Sequence, residues 1–422
     1  MDASAALCLG ISVFLYTLIS GRLEASPVTP PLFFVAAGWL SSSPALRVAD
    51  IDVTAGMIEV VAEVTLVLVL FTDAARINLR ALIDDHILPL RMLIIGMPLV
   101  IGLGALSAAL TLPSIGLLGA LLLATILAPT DAALGQSILT DPAVPVRVRQ
   151  ALNVESGLND GLALPAVVIL VALQVAMGDA TIPLAVLGGI VLSQLTLGPL
   201  VGVSVGALGA WLLRQASARG LSSPGFEGMG TLALSLFAYA AAESVGGNGF
   251  IAAFSAGLAF GTLARTRCAP LVEFMDTEGQ LLTLITFFVF GAAMLPGAVA
   301  AVTPPMLVIS FVSLTVARMV PIAVSLVGSG VSWPTYLLLG WFGPRGLASI
   351  LFALLILGEH EVPYRSELLT VTSVTVALSV LLHGATAPFL ARRYGAWTAR
   401  VEGAAEMIPA TEMPLRHGEV GR

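Results

Sequence analysis

No lysine occurs anywhere in the 422 residues, so all nineteen basic side chains are arginine. That absence removes Schiff-base chemistry, a lysine general base and the membrane lysines on which proton-conducting subunits of respiratory complexes rely. Charge of either sign is scarce: charged residues make up 11% of the chain, about half of what a soluble protein carries. Hydrophobic residues reach 57% and mean hydropathy is +0.99, which excludes a soluble domain and leaves nothing to hold nucleic acid. The net charge of −7 carries little weight, because in a membrane protein the distribution of charge matters more than its sum. There are two cysteines, Cys8 and Cys268, and they fall on opposite sides of the topology below, which argues against a disulfide. The four histidines (His86, His360, His383 and His417) are scattered, with no metal-ligand spacing, and no zinc motif or cofactor-binding pattern appears.

Apolar runs separated by breaks rich in Pro, Gly or charge predict thirteen transmembrane segments. They lie near 4–20, 30–43, 57–73, 87–110, 114–139, 150–176, 183–212, 229–245, 248–264, 278–296, 304–328, 333–357 and 366–391. With the N-terminus outside, fifteen arginines fall on the inner side, against Arg47 and Arg365 outside; Arg318 and Arg345 lie within segments. That asymmetry follows the positive-inside rule, and one miscounted segment in the middle would destroy it. The opening MDASAALC has no basic region, so no cleavable signal is expected. Residues 396–422 are polar and are expected to form a short, disordered cytoplasmic tail after a membrane domain spanning 1–395.

Three carboxylates stand where the bilayer opposes them. Asp131 lies in LLLATILAPTDAALG, and Glu155 and Asp160 lie in ALNVESGLNDGLALPAVVILVAL. Each costs at least about 2.5–3.5 kcal/mol at mid-bilayer, so a role in binding or moving an ion is expected. On a helix, Glu155 and Asn159 share one face while Ser156 and Asp160 share the adjoining one. Asp160 can then meet Asp131 with Ser156 beside it, giving hard oxygen ligands for a small cation. Asn159 can donate to a carboxylate and orient it. The competing reading makes Glu155 an N-terminal helix cap. Arg318 needs a carboxylate at that depth, and Glu155 is the preferred partner. Asp131 and Asp160 are then the pair without a compensating cation. Burial and mutual repulsion favour the protonated acid while a bound cation favours the ionised one. Proton and cation thus exclude one another, and alternating access turns exclusion into exchange.

Two segments are interrupted at mid-span, by Ala128-Pro129-Thr130-Asp131 and by Gly340-Trp341-Phe342-Gly343-Pro344-Arg345-Gly346. Proline and glycine can merely kink a membrane helix. Two breaks seven segments apart, each carrying a charge, fit inverted six-helix repeats joined by the seventh segment. Opened helix ends would expose backbone groups to cations or carboxylates.

These residues resemble a known family. APTD (128–131), ESGLNDG (155–161), Arg318 and FGPRG (342–346) look like the NhaP-type sodium/proton antiporters of the cation:proton antiporter-1 family, over roughly 5–392. The resemblance implies a homodimer of all-α, thirteen-helix protomers in the bacterial inner membrane. The dimerisation segments would be about 4–73 and 183–296. A core of about 87–176 and 304–391 would move elevator-fashion. It also implies Asp160 as the principal ion- and proton-binding carboxylate, with Asp131, Thr130 and Ser156 as further ligands. Asn159 becomes the polar partner of Asp160, Glu155 and Arg318 a structural ion pair, and Gly343, Pro344 and Arg345 the second break. Electrogenic relatives carry an aspartate where this chain has Asn159, and a membrane lysine; their absence implies electroneutral exchange of one monovalent cation for one proton. Ala132 departs from the family by standing where a proline often follows the TD pair. It is expected to soften the break.

Asp73 is read first as an interfacial acid beside Arg76 and second as an extra ligand. Glu59, Glu63 and Glu243 have open roles, and the small-residue pair Gly202 and Gly206 suits close helix packing. Sodium and potassium are not separated by ligand type, so a K+/H+ antiporter stays open. A cation channel lacks the charged chains it needs. A membrane hydrolase built on Ser156 has no membrane base beside it.

Overall fold

The computed structural model describes residues 3–23, 26, 28–42, 55–77, 87–178, 184–264, 269–358, 362–401 and 403–409, and these contain helices and no strand. His86, His360, His417, Cys268 and the side chain of Glu59 lie outside them. The first helices are α1 (Ala3–Leu23), α2 (Pro30–Ser41), α3 (Ala55–Arg76) and α4 (Ile87–Thr111), the last passing through a π-helical turn at Met92–Gly96. Then come α5 (Gly116–Ile126), the short α6 (Gln136–Leu139), α7 (Val146–Gly178), α8 (Leu184–Ala218), α9 (Pro224–Ser244) and α10 (Gly249–Leu263). The last are α11 (Ala269–Val289), α12 (Leu295–Ala301), α13 (Pro304–Leu314), α14 (Val316–Ser325), α15 (Trp333–Trp341), α16 (Leu347–Gly358) and α17 (Arg365–Thr398).

Among the described residues, seven helices are long and apolar enough to cross a membrane, and three more are shorter and apolar. The chain is a multi-pass membrane protein, and its outward faces carry the exposed apolar side chains lipid requires, such as Phe14, Leu110, Leu117 and Leu200. Local sequence sets several boundaries. Thr29 caps α2 by accepting from Leu32 N–H, and Pro30, Pro224 and Pro304 stand in the first turns of α2, α9 and α13, where a missing N–H costs nothing.

Helices α2, α3 and α8–α11 pack on one another, and α4, α5, α7 and α13–α17 form a second set, with α3 touching α7 and α16 between them. Glycines let backbones meet in the first set. A Cβ at Gly202 or Gly206 of α8 would stand 2.3 or 2.2 Å from the carbonyls of Ala252 and Ala256, so α10 is the partner of that small-residue face. On the other side of α10, Gly257 and Gly261 meet the carbonyls of Phe71 and Ala75 in α3.

Two features differ from the sequence reading, and one competing reading is excluded. The eleventh segment has an unpredicted kink at Thr315, where φ −115° and ψ −93° separate α13 from α14. Helix α7 begins at Val146, so Glu155 sits in its third turn and is no helix cap. The tail is not wholly disordered: α17 continues to Thr398, and a 3₁₀ turn at Ala405–Met407 docks on the protein with Glu406 fully buried.

Candidate functional site

Both expected interruptions are present and they cross. Helix α5 ends at Ile126; residues 127–131 are non-helical, and a 3₁₀ turn at Ala132–Gly135 leads into α6. Helix α15 ends at Trp341, and 342–346 run without helical structure to α16. The two connections are joined by backbone: Asp131 N–H donates to the Pro344 carbonyl at 2.8 Å.

Each break is completed by the charged side chain of the other. The Asp131 carboxylate accepts from Ala133 N–H (2.9 Å, Oδ1) and from Leu347 N–H (2.8 Å, Oδ2), capping the helical turns that restart after both interruptions. Arg345, fully buried, donates through one terminal nitrogen to the carbonyls of Ala128 (2.6 Å) and Pro129 (3.3 Å), at the end of α5. Ser349 Oγ adds a bond to the Ile126 carbonyl at 2.8 Å. An anion at helix starts and a cation at a helix end are the signs the peptide dipoles favour. A Cβ on Gly346 would fall 2.2 Å from Asp131 Oδ2, so this close approach requires glycine.

Helix α7 supplies the rest. Ser156 Oγ donates to the Thr130 carbonyl (2.7 Å) and accepts from Ala132 N–H (2.8 Å), clasping the first break on both sides of Asp131. The Asn159 amide donates to Thr130 Oγ1 at 2.7 Å. Ala132 gives the break an N–H that a proline would lack. Asp160, 4% exposed, follows Asn159 and lies one turn beyond Ser156 on the same face. Thr130, Asp131 and Ser156 line a cavity of about 10 Å³ with Ala132, Gly135, Leu139, Leu152, Phe342 and Pro344, room for one water-sized occupant.

Glu155 and Arg318 pair as predicted, in a bidentate contact of 2.5 and 2.7 Å with both side chains buried. A Cβ at Gly343 would stand 2.1 Å from Arg318 Nε, so the second break is shaped around this guanidinium. Asp73 is buried near the end of α3, 3.8 Å from Arg76, and α3 lies against Gly157 of α7 at Ile77 and the Asp73 carbonyl. Both readings of Asp73 therefore keep their geometry. Glu243 accepts from Gly249 N–H at 2.7 Å, a cap joining α9 to α10, and takes no part in the crossing.

Sequence reasoning misses two residues of the crossing, Ser379 and His383 of α17, both fully buried against the second break. Their only signal is polarity in an apolar helix, which many buried serines and histidines share. Among the described residues no group of three or more His, Cys, Asp or Glu is placed to hold a metal.

Known proteins share this architecture. The sodium proton antiporter MjNhaP1 of Methanocaldococcus jannaschii has the same fold, with TM-score 0.74 over 93% of this chain and 98% of that one, at 19% identity. The K(+)/H(+) antiporter NhaP2 of Shewanella oneidensis is 26% identical over 305 residues, 71% of this chain and 50% of the relative. The K(+)/H(+) antiporter NhaP of Alkalimonas amylolytica is 27% identical over 299 residues, 70% and 50% of the two chains. A probable Na(+)/H(+) antiporter of Schizosaccharomyces pombe is 26% identical over 264 residues, 60% and 35%. This chain spans about half the length of the Shewanella and Alkalimonas relatives. Residues 9–393 match the family described as sodium/hydrogen exchanger, transmembrane, and the chain belongs to that transporter family.

Proposed function

We propose that the chain exchanges one monovalent cation for one proton across a membrane, electroneutrally, with cation and proton competing at Asp160. The observation that carries this reading is the place of Asp160, buried in α7 one turn beyond Ser156, which clasps the first break. Asp131 is held through both oxygens by backbone amides, and Glu155 through both by Arg318. Both hold the crossing together, and Asp160 is the acid that cycles beside it. One titrating carboxylate carries one positive charge in either direction, as cation or as proton, and moves no net charge per cycle.

Thr130, Ser156 and Asp131 supply oxygens around the small cavity, and Asn159 acts by fixing Thr130. Sodium is the preferred cation, in keeping with the sodium proton antiporter whose fold this chain shares. Potassium is the alternative, supported by the K(+)/H(+) names of the Shewanella and Alkalimonas relatives. Asp73 is a secondary ligand candidate from α3. Membership of the family and its fold support thirteen crossings, a homodimer formed through α1–α3 and α8–α11 and a mobile core of α4–α7 and α13–α17, and the bacterial relatives support a place in the bacterial inner membrane. The arginine distribution supports an outside N-terminus and a cytoplasmic C-terminus.

The test is a proteoliposome assay with a preset pH gradient, challenged with Na+, Li+ or K+, with and without a clamped membrane potential. Dissipation of the gradient by cation in the wild type, its absence in Asp160→Asn, and indifference to potential are expected. Driving by potential would overturn the stoichiometry. Full activity in the variant would overturn the site.

A further inference from the structure

His383 and Ser379 lie in α17, outside the ion ligands proposed above, and both face the second break. Arg345 N–H donates to Ser379 Oγ at 2.7 Å, which leaves the serine its own hydrogen to give. His383 Nδ1 lies 3.2 Å from that hydroxyl and 3.0 Å from the Ser379 carbonyl. The opposite ring nitrogen, Nε2, is 2.9 Å from the carbonyl of Trp341, the last residue of α15. A carbonyl only accepts, so Nε2 carries the proton, and the neutral ring accepts at Nδ1 from Ser379. The Trp341 indole stacks on the imidazole with ring centroids 5.0 Å apart, and its Nε1 donates to Thr386 Oγ1 at 3.0 Å.

We propose that His383 and Ser379 are positioning residues for cation binding: they tie the two severed ends of the second interrupted helix, the Trp341 carbonyl and the Arg345 amide, to α17 and so fix where the 342–346 connection meets Asp131. The connection touches Asp131 at two places, the Pro344 carbonyl on its amide and the Leu347 amide on its carboxylate. Arg345 lies between those two contacts, and its amide is the one Ser379 holds. Five residues without helical structure cannot keep a register of tenths of an ångström by themselves, and a ligand set needs that register. The clamp supplies it from a helix that carries none of the proposed ligands.

This inference rests on the reading of the crossing as the cation site, and the experiment separates the two. Exchange is measured in proteoliposomes against Na+ and K+ concentration for the wild type, His383→Ala, His383→Gln, Ser379→Ala and, as a control, Asp160→Asn. Glutamine can donate to the Trp341 carbonyl and accept from Ser379. His383→Ala and Ser379→Ala are expected to raise the apparent KM for the cation about fivefold, the worth of one buried hydrogen bond, with the maximal rate kept within about twofold. His383→Gln should return KM to near the wild-type value. Wild-type KM in folded His383→Ala and Ser379→Ala, or equal impairment of His383→Gln and His383→Ala, overturns the clamp. If His383→Ala yields no folded protein, the KM of Ser379→Ala decides alone. An inactive Asp160→Asn beside a wild-type KM in Ser379→Ala sinks the clamp only, whereas an active Asp160→Asn sinks the site reading itself.

Discussion

Leu347 N–H donates to Asp131 Oδ2 at 2.8 Å, so a carboxylate in the first interrupted helix caps the second half of the other. With Ala133 N–H on Oδ1, Asp131 is as much a strut as a ligand. Replacing it with asparagine turns one oxygen into an amide donor that faces a backbone donor. Leaving that buried N–H unsatisfied costs about 1–3 kcal/mol. Asp131→Asn is expected to lower the thermal unfolding temperature in detergent and to lose transport. Asp160→Asn should lose transport as well. An unfolding temperature unchanged in Asp131→Asn would refute its role as a strut.

The Glu155–Arg318 pair makes a different prediction. Removing one member of a buried ion pair strands the other and costs about 3–5 kcal/mol, whereas replacing both by apolar residues can be close to neutral. Glu155→Leu and Arg318→Met should each fail to yield folded protein. The double variant should recover a monodisperse species by size-exclusion chromatography. Exchange need not return, because the guanidinium also shapes the connection at Gly343. Failure of the double variant to recover would mean that the pair does more than neutralise itself.

Why some of this was readable in the sequence and some not comes down to what carries the interaction. Apolar runs bounded by Pro and Gly located nearly every helix, since the bilayer tolerates little else. The pairing of Glu155 with Arg318 was legible because a buried arginine must find an acid, and only a few acids lie deep. The bonds from Asp131 to Leu347 and from Arg345 to Ala128 were not. They join a side chain to backbone groups more than 200 positions away, and every residue has those backbone groups. Nor is the bond from Asn159 to the Thr130 hydroxyl legible, because it depends on the unwinding at Pro129 that leaves that threonine facing α7. His383 was passed over for want of spacing to other ligands, although its partners are a serine one turn away and a main-chain carbonyl.

Ala132 can be tested against Ser156. Asp131 has φ −110° and ψ 112°, a backbone that tolerates a following proline, but Ala132→Pro removes the N–H to Ser156 Oγ and puts the ring Cδ where that hydrogen pointed, so the serine hydroxyl must turn aside. Ser156→Ala removes that bond and the one to the Thr130 carbonyl, together with a ligand oxygen. Transport by Ala132→Pro is expected to persist, with an apparent KM within about fivefold of the wild type, and Ser156→Ala should raise KM further. The reverse order would show that the Ala132 amide, rather than the serine oxygen, dominates binding.

The docked tail gives the last prediction. Glu406 Oε1 accepts from Thr335 Oγ1 at 3.0 Å and Oε2 from Ser332 N–H at 3.3 Å, and Tyr394 reaches the same threonine at 2.7 Å. Arg147, at the start of α7, donates to the Ala405 carbonyl at 2.6 Å. The turn at Ala405–Met407 thus joins the first turns of α15, which leads into the second break, and of α7, which clasps the first, to the end of α17. An acid at a helix start favours the dipole, and burial removes the water that would compete for it. Deleting residues 403–422 should lower thermal stability by about 1–3 kcal/mol, the range for leaving such buried groups unsatisfied. Glu406→Ala should reproduce most of that loss, and Glu406→Gln, which keeps an acceptor for one partner, less of it. The check is unfolding in detergent with exchange measured on the same preparations. A full-length Glu406→Ala as stable as the wild type would mean that the tail rests on the membrane domain without bracing it.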